Sequence, residues 1–401
     1  MPKRYVSAVQ KALGDGAASP QAAALADEML AELGEEALSK GVHQVEATTV
    51  LWALRVGGQA APAIAMRIYD QDGSTWPVWK APHPEPRPDA LSDAPGLPMR
   101  RLGDSDLYVL IRELPNFSAT AFRYEAEGKR FGDGWVVLER FQAEPECRPQ
   151  PGVPQGTLTE HVLKQSSVFP GTARGYWLYV PAQYQPSQPA CLMVFQDGGM
   201  YLQRPAPVPT VLDNLIYKGE LPPIVGLFVN PGTFDDKLGR FQNRSVEYDT
   251  LSDQYARFLE QEMIQAVSEK VNLRQDAGGR AICGISSGAV CAFTAAWERP
   301  DLFSKVLCHV GSFTGIRGAY EYPYQIRKTA RKPIRIYLQD GSNDIDDMRG
   351  NWPLANQQMA TAMVFQGYDY RFDFGRGFHS LAHGGATLPS SLRWLWREEA
   401  T

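Results

Sequence analysis

The segment that most restricts this chain is Gly284-Ile285-Ser286-Ser287-Gly288, which follows the apolar run Ala281-Ile282-Cys283 and opens a helix-compatible stretch from Ala289 to Glu298. A G-x-S-x-G pentapeptide between a strand and a helix is the pattern of a nucleophile elbow. Small residues around Ser286 let the backbone turn sharply, and the turn holds the hydroxyl clear of a sheet at the N-terminus of a helix. Without context the same five residues describe a glycine-rich turn that contains serine. Whether Ser286 is a nucleophile therefore depends on an acid and a base elsewhere in the chain.

The run Pro333 to Leu338 is β-rich and stops in a Gly/Ser/Asn/Asp turn, so the carboxylates that follow fall just past a strand end. Catalytic groups of open α/β sheets sit at that edge. Asp340, Asp344, Asp346 and Asp347 compete there. Asp344 is preferred, because a loop carboxylate a few residues beyond the strand can reach back under an imidazole, whereas Asp340 is placed to brace the turn. The base is expected after the last strand, where Tyr370 to Phe374 leads into Gly375-Arg376-Gly377-Phe378-His379 with a second histidine at His383. Glycines before His379 favour it over His383, and the order Ser286, Asp344, His379 is the order found in α/β-hydrolases. His379 and His383 have H-x-x-x-H spacing, but no Glu follows the first and Gly384-Gly385 follow the second, which argues against a metal pair. His383 is expected either to shape the pocket rim or to hydrogen-bond to a group behind the catalytic residues.

An acyl-transfer site also needs donors aimed at the oxyanion. The N–H of Ser287, just after the nucleophile, is one. The second is expected from Gln196-Asp197-Gly198-Gly199, which follows the buried-strand pattern Ala190 to Phe195; Gly199 is preferred and Gly198 is the alternative.

From about Gly156 to Arg397 the chain resembles the enterochelin-esterase and esterase-D-like branch of the α/β-hydrolases, which includes feruloyl esterases and mycolyltransferases. The resemblance is carried by Val194 to Gly198, Asn243 to Tyr248, the elbow at Ser286, Glu298 to Phe303, Gln339 to Asp344, and Gly377-Phe378-His379. It implies that Ser286, Asp344 and His379 are nucleophile, acid and base, and that an oxyanion donor follows the Asp-Gly pair at Gly199. The usual Gly-Gly-His lead-in reads Gly-Phe-His here, which puts Phe378 on the pocket wall. More loosely, Met99 to Tyr108, Leu114-Pro115 and Phe122 to Tyr124 resemble the immunoglobulin-like N-terminal domain of enterochelin esterases.

The 401 residues exceed what one core usually holds, roughly 250–300 residues. The expected organisation is an N-terminal helical segment over 1–40, with a helix at Gln21 to Leu33, then an immunoglobulin-like β-sandwich over 41–142. A Pro/Glu-rich linker follows over 143–155, and an α/β-hydrolase domain, a mostly parallel sheet flanked by helices, over 156–401. Short β-like runs at Glu46 to Val56, Ala63 to Tyr69, Leu107 to Arg112, Ala121 to Tyr124 and Trp135 to Phe141 support the sandwich. Apolar runs at Ile224 to Val229, Lys305 to Val310 and Ile334 to Leu338 read as parallel strands covered on both faces. Asp253 to Val271 and Leu388 to Trp396 read as helices, with Ser252-Asp253 as the N-cap of the first.

A net charge of −5 argues against nucleic-acid and anionic-membrane partners, and no run is apolar enough to span a bilayer. Met1 to Pro20 lacks the apolar centre of a signal peptide, and the five cysteines include three on expected core strands, so a cytoplasmic location is expected, with a removed leader left open. The expected partner is a small-molecule ester, a homo-oligomer is left open, and no metal or cofactor is required. The resemblance points to an enterochelin-like siderophore lactone as substrate. The alternatives are a feruloyl or acetyl ester of a carbohydrate, acyl transfer to a sugar, and a catalytically silent binding module. Tyr201, Arg204, Arg244, Trp352 and His383 are the expected substrate contacts, with Arg240 and Phe234 also considered.

Overall fold

The computed structural model describes residues 42–46, 48–57, 61–69, 91, 94, 96–101, 106–234 and 240–398. The helix expected at Gln21 to Leu33 lies outside them. The chain divides into two units, Met1–Arg140 and Phe141–Thr401, so the break falls two residues before the expected end of the sandwich.

In the first unit the strands are β1 (Val42–Glu46), β2 (Thr49–Arg55), β3 (Ala63–Tyr69), β4 (Gly96–Pro98), β5 (Arg100–Arg101), β6 (Leu107–Glu113), β7 (Ser118–Ala126) and β8 (Lys129–Leu138). They form two antiparallel four-stranded sheets in the orders β1-β2-β6-β5 and β4-β3-β7-β8. Alternate residues of β2, namely Val50, Trp52 and Leu54, join Ile64, Phe122, Tyr124, Val136 and Leu138 of the other sheet in one apolar cluster. The period of two is that of strands with one face inward. The run read from Glu46 to Val56 contains β2 and only the last residue of β1, the strand that pairs back on it with Glu46 opposite Thr49. Thr48, at the reversal, is neither glycine nor proline, so the sequence carries no turn mark there.

The second unit begins with the expected linker, which is docked rather than free. Pro145–Cys147 form a single 3₁₀ turn whose Glu146 and Cys147 are buried. Glu146 accepts hydrogen bonds from Lys218 at 2.6 Å and Arg393 at 2.7 Å.

The remaining strands are β9 (Thr157–Leu163), β10 (Thr172–Val180), β11 (Cys191–Gln196), β12 (Ile224–Val229), β13 (Thr233–Phe234), β14 (Arg280–Ile285), β15 (Lys305–His309), β16 (Arg335–Gly341), β17 (Asp346–Asp347), β18 (Gly350–Asn351) and β19 (Tyr370–Gly375). The helices are α1 (Val208–Tyr217), α2 (Arg240–Asp249), α3 (Gln254–Phe258), α4 (Gln265–Ser268), α5 (Ser287–Glu298), α6 (Tyr322–Lys328), α7 (Trp352–Gln366), α8 (Ala382–Ala386) and α9 (Leu388–Trp396). One nine-stranded sheet runs β13-β10-β12-β11-β14-β15-β16-β19, with β9 also on β10. Pairing is parallel from β12 to β19, and β10 is antiparallel to its neighbours.

Strand residues feed two apolar layers in alternation. Leu192, Val194, Ile282, Val306 and Ile336 enter the layer of α3, α5 and α7, whereas Met193, Phe195, Cys283, Leu307 and Tyr337 enter that of α1 and α9. Burial on both faces is why these strands read as unbroken apolar runs. The long helix expected from Asp253 is interrupted by a π-helical turn, Leu259–Ile264, between α3 and α4. Its first N–H, that of Gln254, bonds Ser252 Oγ at 3.3 Å, while Asp253 makes no side-chain cap.

The chain goes from β11 to β12 on one side and returns to β14 on the other. The carboxyl ends of β11 and β14 thus flank a switch in strand order, the place where open α/β sheets hold ligands.

Candidate active site

Ser286 joins β14 to α5 with φ 60° and ψ −125°, a conformation side-chain-bearing residues rarely adopt. A Cβ at Gly284 would stand 2.1 Å from the Gly288 carbonyl oxygen, so the turn closes only with glycine there. Ser286 N–H donates to the His309 carbonyl at 3.0 Å, and Ser312 N–H donates to the Ser286 carbonyl at 3.2 Å. The elbow is therefore bonded to the end of β15.

β16 extends through Asp340 and Gly341, which leaves Asp340 in the sheet and Asp344 three residues beyond its end. The acid loop is joined to the histidine loop by Ser342 N–H to the Gly375 carbonyl, Asn343 N–H to the Gly377 carbonyl and Asn343 Nδ2 to the Arg376 carbonyl, at 2.8–3.1 Å. A Cβ at Gly341 would lie 2.2 Å from the Gly377 oxygen, so glycine is what permits this approach. In consequence Asp344 Oδ1 lies 2.6 Å from His379 Nδ1, and His379 Nε2 lies 2.8 Å from Ser286 Oγ. The Asp344 side chain is fully buried and that of His379 is 17 % exposed. Burial, and then the charge of Asp344, push the Asp340 carboxyl well above its ordinary range. Two carboxyls this close and this buried oppose each other's ionisation.

His383 faces elsewhere. Its Nδ1 is 3.1 Å from Gln339 Nε2 and its ring stacks on Phe141 at 4.4 Å, while burial lowers its pKa. The two histidines thus point to different partners. Among the described residues no group of three or more His, Cys, Asp or Glu is placed to hold a metal ion.

The expected substrate contacts are mostly engaged in the protein. Tyr201 is fully buried, with its hydroxyl 2.9 Å from His309 Nδ1, so it belongs to the core and not to a pocket wall. Arg244 lies on α2, and its guanidinium is held by Asp197. Glu247 is taken by Arg174, with both side chains fully buried. Trp352 is buried, packs edge-on to His379 at 5.8 Å and donates from Nε1 to Ser312 Oγ at 3.1 Å. Arg204 and Phe234 are exposed.

Gly199 N–H donates to Asn230 Oδ1 at 3.1 Å, so an oxyanion reaches it only by displacing that amide oxygen. Ser287 opens α5, and a helix leaves its first N–H groups without an intrahelical acceptor. Sequence reasoning missed Ser312, whose Oγ is 3.0 Å from Ser286 Oγ. Its position just past a strand end was the available signal. The five cysteines are all buried and none forms a disulfide.

The model of the Esterase family matches residues 167–395, more than half of the chain, including Ser286, Asp344 and His379. The chain belongs to the Esterase family. This esterase is accordingly a hydrolase of carboxylic esters. No curated protein sequence matches it. Among solved structures it is similar to the enterochelin esterase of Shigella flexneri, at 16% identity and TM-score 0.59, over 89% of this chain and 95% of that one. The ferric enterobactin esterase of Salmonella typhimurium matches at 16% identity and TM-score 0.55, over 87% and 93%. A ferulic acid esterase of Anaeromyces mucronatus matches at 14% identity and TM-score 0.50, over 65% of this chain and 97% of its own. These likenesses are of fold, and the fold of this esterase is that of the α/β-hydrolase esterases. Among its described residues no helix is long and apolar enough to cross a membrane.

Proposed function

We propose that this esterase works by two-step acyl transfer, with Ser286 as nucleophile, His379 as general base and then acid, and Asp344 as the group that orients the imidazole. The observation that carries this reading is the unbroken run of hydrogen bonds from Asp344 through His379 to an elbow serine at positive φ. An ionised Asp344 accepts only, so His379 carries its proton on Nδ1 and presents a lone pair at Nε2 to the Ser286 hydroxyl. As Ser286 Oγ bonds to the ester carbonyl carbon, its proton passes to Nε2. The imidazolium, stabilised by Asp344, then returns that proton to the departing alcohol. Water repeats the sequence on the acyl-enzyme and frees the acid. Ser287 N–H, at the positive end of α5, is one oxyanion donor, and Gly199 N–H is the second once Asn230 yields.

We further infer a β-sandwich of immunoglobulin type before the catalytic unit and a siderophore-type lactone as the substrate. The enterochelin esterase match extends over 89% of this chain, whereas the ferulic acid esterase match extends over 65%, close to the catalytic unit alone. Because Arg244 is held by Asp197, exposed Arg204 is the better placed of the two arginines to meet an anionic substrate. The test is a panel of catecholate trilactones, feruloylated and acetylated sugars, and nitrophenyl esters, each run with and without a sugar acceptor. The reading expects the highest kcat/KM on the trilactones and free acid as the product. Preference for a feruloylated sugar would favour the carbohydrate-ester reading, and acylated sugar as the product would make the protein a transferase.

A further inference from the structure

We propose that Ser312 is a catalytic residue of this esterase: its hydroxyl donates a hydrogen bond to Ser286 Oγ and stabilises the charge that gathers on that oxygen during both steps. The proposal rests on the triad reading above.

The direction of the bond between the two hydroxyls follows from both ends of the chain of partners. At one end, the Ser286 hydroxyl gives its only proton to His379 Nε2, 2.8 Å away, so it can only accept from Ser312, 3.0 Å away. At the other end, indole Nε1–H is a donor and nothing else, and that of Trp352 points into Ser312 Oγ at 3.1 Å. Ser312 therefore has its own proton left for Ser286. Five groups are aligned in one sense, Trp352 to Ser312 to Ser286 to His379 to Asp344, and each bond polarises the next.

The backbone gives an independent sign of purpose. Ser312 lies in the turn after β15, and that turn contains Val310 at φ 43°, an outlier for a β-branched residue. The turn is held in that shape by Val310 N–H to the Gln339 carbonyl at 2.7 Å, Ser312 N–H to the Ser286 carbonyl at 3.2 Å and Asn356 Nδ2 to the Gly311 carbonyl at 2.9 Å. Strained backbone of this kind persists where the surroundings over-determine it, and it clusters at working sites. Here it sets a fully buried hydroxyl against the nucleophile.

In acylation, Ser286 Oγ loses its proton to His379 and bonds to the carbonyl carbon, and the Ser312 proton offsets the negative charge on Oγ while both changes are under way. In deacylation, water gives a proton to His379 and attacks the acyl carbon. The C–Oγ bond then breaks, its electron pair returns to Oγ, and His379 reprotonates it. Ser312 again donates to the oxygen that receives charge.

The experiment compares Ser312→Ala, Trp352→Phe and Ser286→Ala on a nitrophenyl ester and in covalent labelling by an alkyl phosphonofluoridate, with thermal unfolding as the check on folding. A hydrogen bond to a charged group predicts a fall of roughly 10- to 100-fold in kcat and in labelling rate for Ser312→Ala, with little change in KM. Trp352→Phe keeps a ring beside His379 and frees Ser312 to turn. It should lose less, and nothing further when added to Ser312→Ala. Folded Ser312→Ala with wild-type turnover, beside an inactive Ser286→Ala, would overturn the role of Ser312 and leave the triad standing. Turnover in Ser286→Ala would overturn both. If Ser312→Ala does not fold, a folded Trp352→Phe at the wild-type rate overturns the proposal and a slowed one supports it.

Discussion

Arg244 grips both carboxylate oxygens of Asp197, with Nε to Oδ1 at 2.9 Å and Nη2 to Oδ2 at 2.7 Å. Asp197 sits at φ 53° immediately before the glycines of the expected oxyanion loop, and its Oδ2 would lie 2.9 Å from a Cβ at Gly288. The pair thus ties α2 to that loop, with the Asp197 carboxylate lying beside Gly288 in the first turn of α5. Burial opposes the charge on Arg244, and the hydrogen bonds to Asp197 override it, so the guanidinium is held above its ordinary range.

Arg244→Ala should therefore act on stability before it acts on substrate. Removing one partner of a largely buried ion pair is expected to lower unfolding free energy by roughly 2–4 kcal/mol, discounted for the partial exposure of the arginine. Denaturant unfolding measures this, alongside steady-state kinetics. A rise in KM with unchanged unfolding would mean that Arg244 serves the substrate directly.

The two histidines separate cleanly by partner. On the proposed mechanism, His379→Ala should reduce kcat by several orders of magnitude in a folded protein. His383→Ala leaves Gln339 short of a partner and opens space beside Phe141, so it should lower stability by about 1–3 kcal/mol and keep most activity. Kinetics and thermal unfolding of both variants decide the matter, and a reversed pattern would make His383 the base.

How much of this was readable in the sequence depended on how local the deciding contact is. Ile224–Val229 and Leu388–Trp396 have the bounds read from their apolar patterns, because burial on two faces or on one helical stripe leaves a continuous or periodic trace. Ser286, Asp344 and His379 stood out because each follows a strand end at a glycine-rich turn. The partner of Arg244, by contrast, is 47 residues upstream and no spacing rule reaches it. Tyr201 and Trp352 could not be assigned from sequence either, since pockets and cores draw on the same aromatic residues. Ser312 had only its place past a strand end to mark it, because its proton direction depends on an indole 40 residues away.

Asp340 gives the protein a pH dependence with a definite sign. Its folded pKa is raised from an ordinary value of 3.8, so the unfolded chain releases the proton first as pH climbs. The stability linked to this group is complete below that value and is lost as pH rises toward the folded pKa, by up to about 1.4 kcal/mol per pH unit. Asp340→Asn keeps a neutral side chain at every pH. In urea unfolding at pH 5 and pH 8 its stability relative to wild type should improve at the higher pH, and an unchanged difference would show that Asp340 ionises freely.

The central claim, that Ser286 is the nucleophile, is tested most directly by locating a covalent adduct. Intact-mass and peptide mass spectrometry after reaction with a phosphonofluoridate should find a single adduct on Ser286, absent from Ser286→Ala, whose ester turnover should have fallen by several orders of magnitude. An adduct on another residue, or near-wild-type turnover by folded Ser286→Ala, would contradict the account.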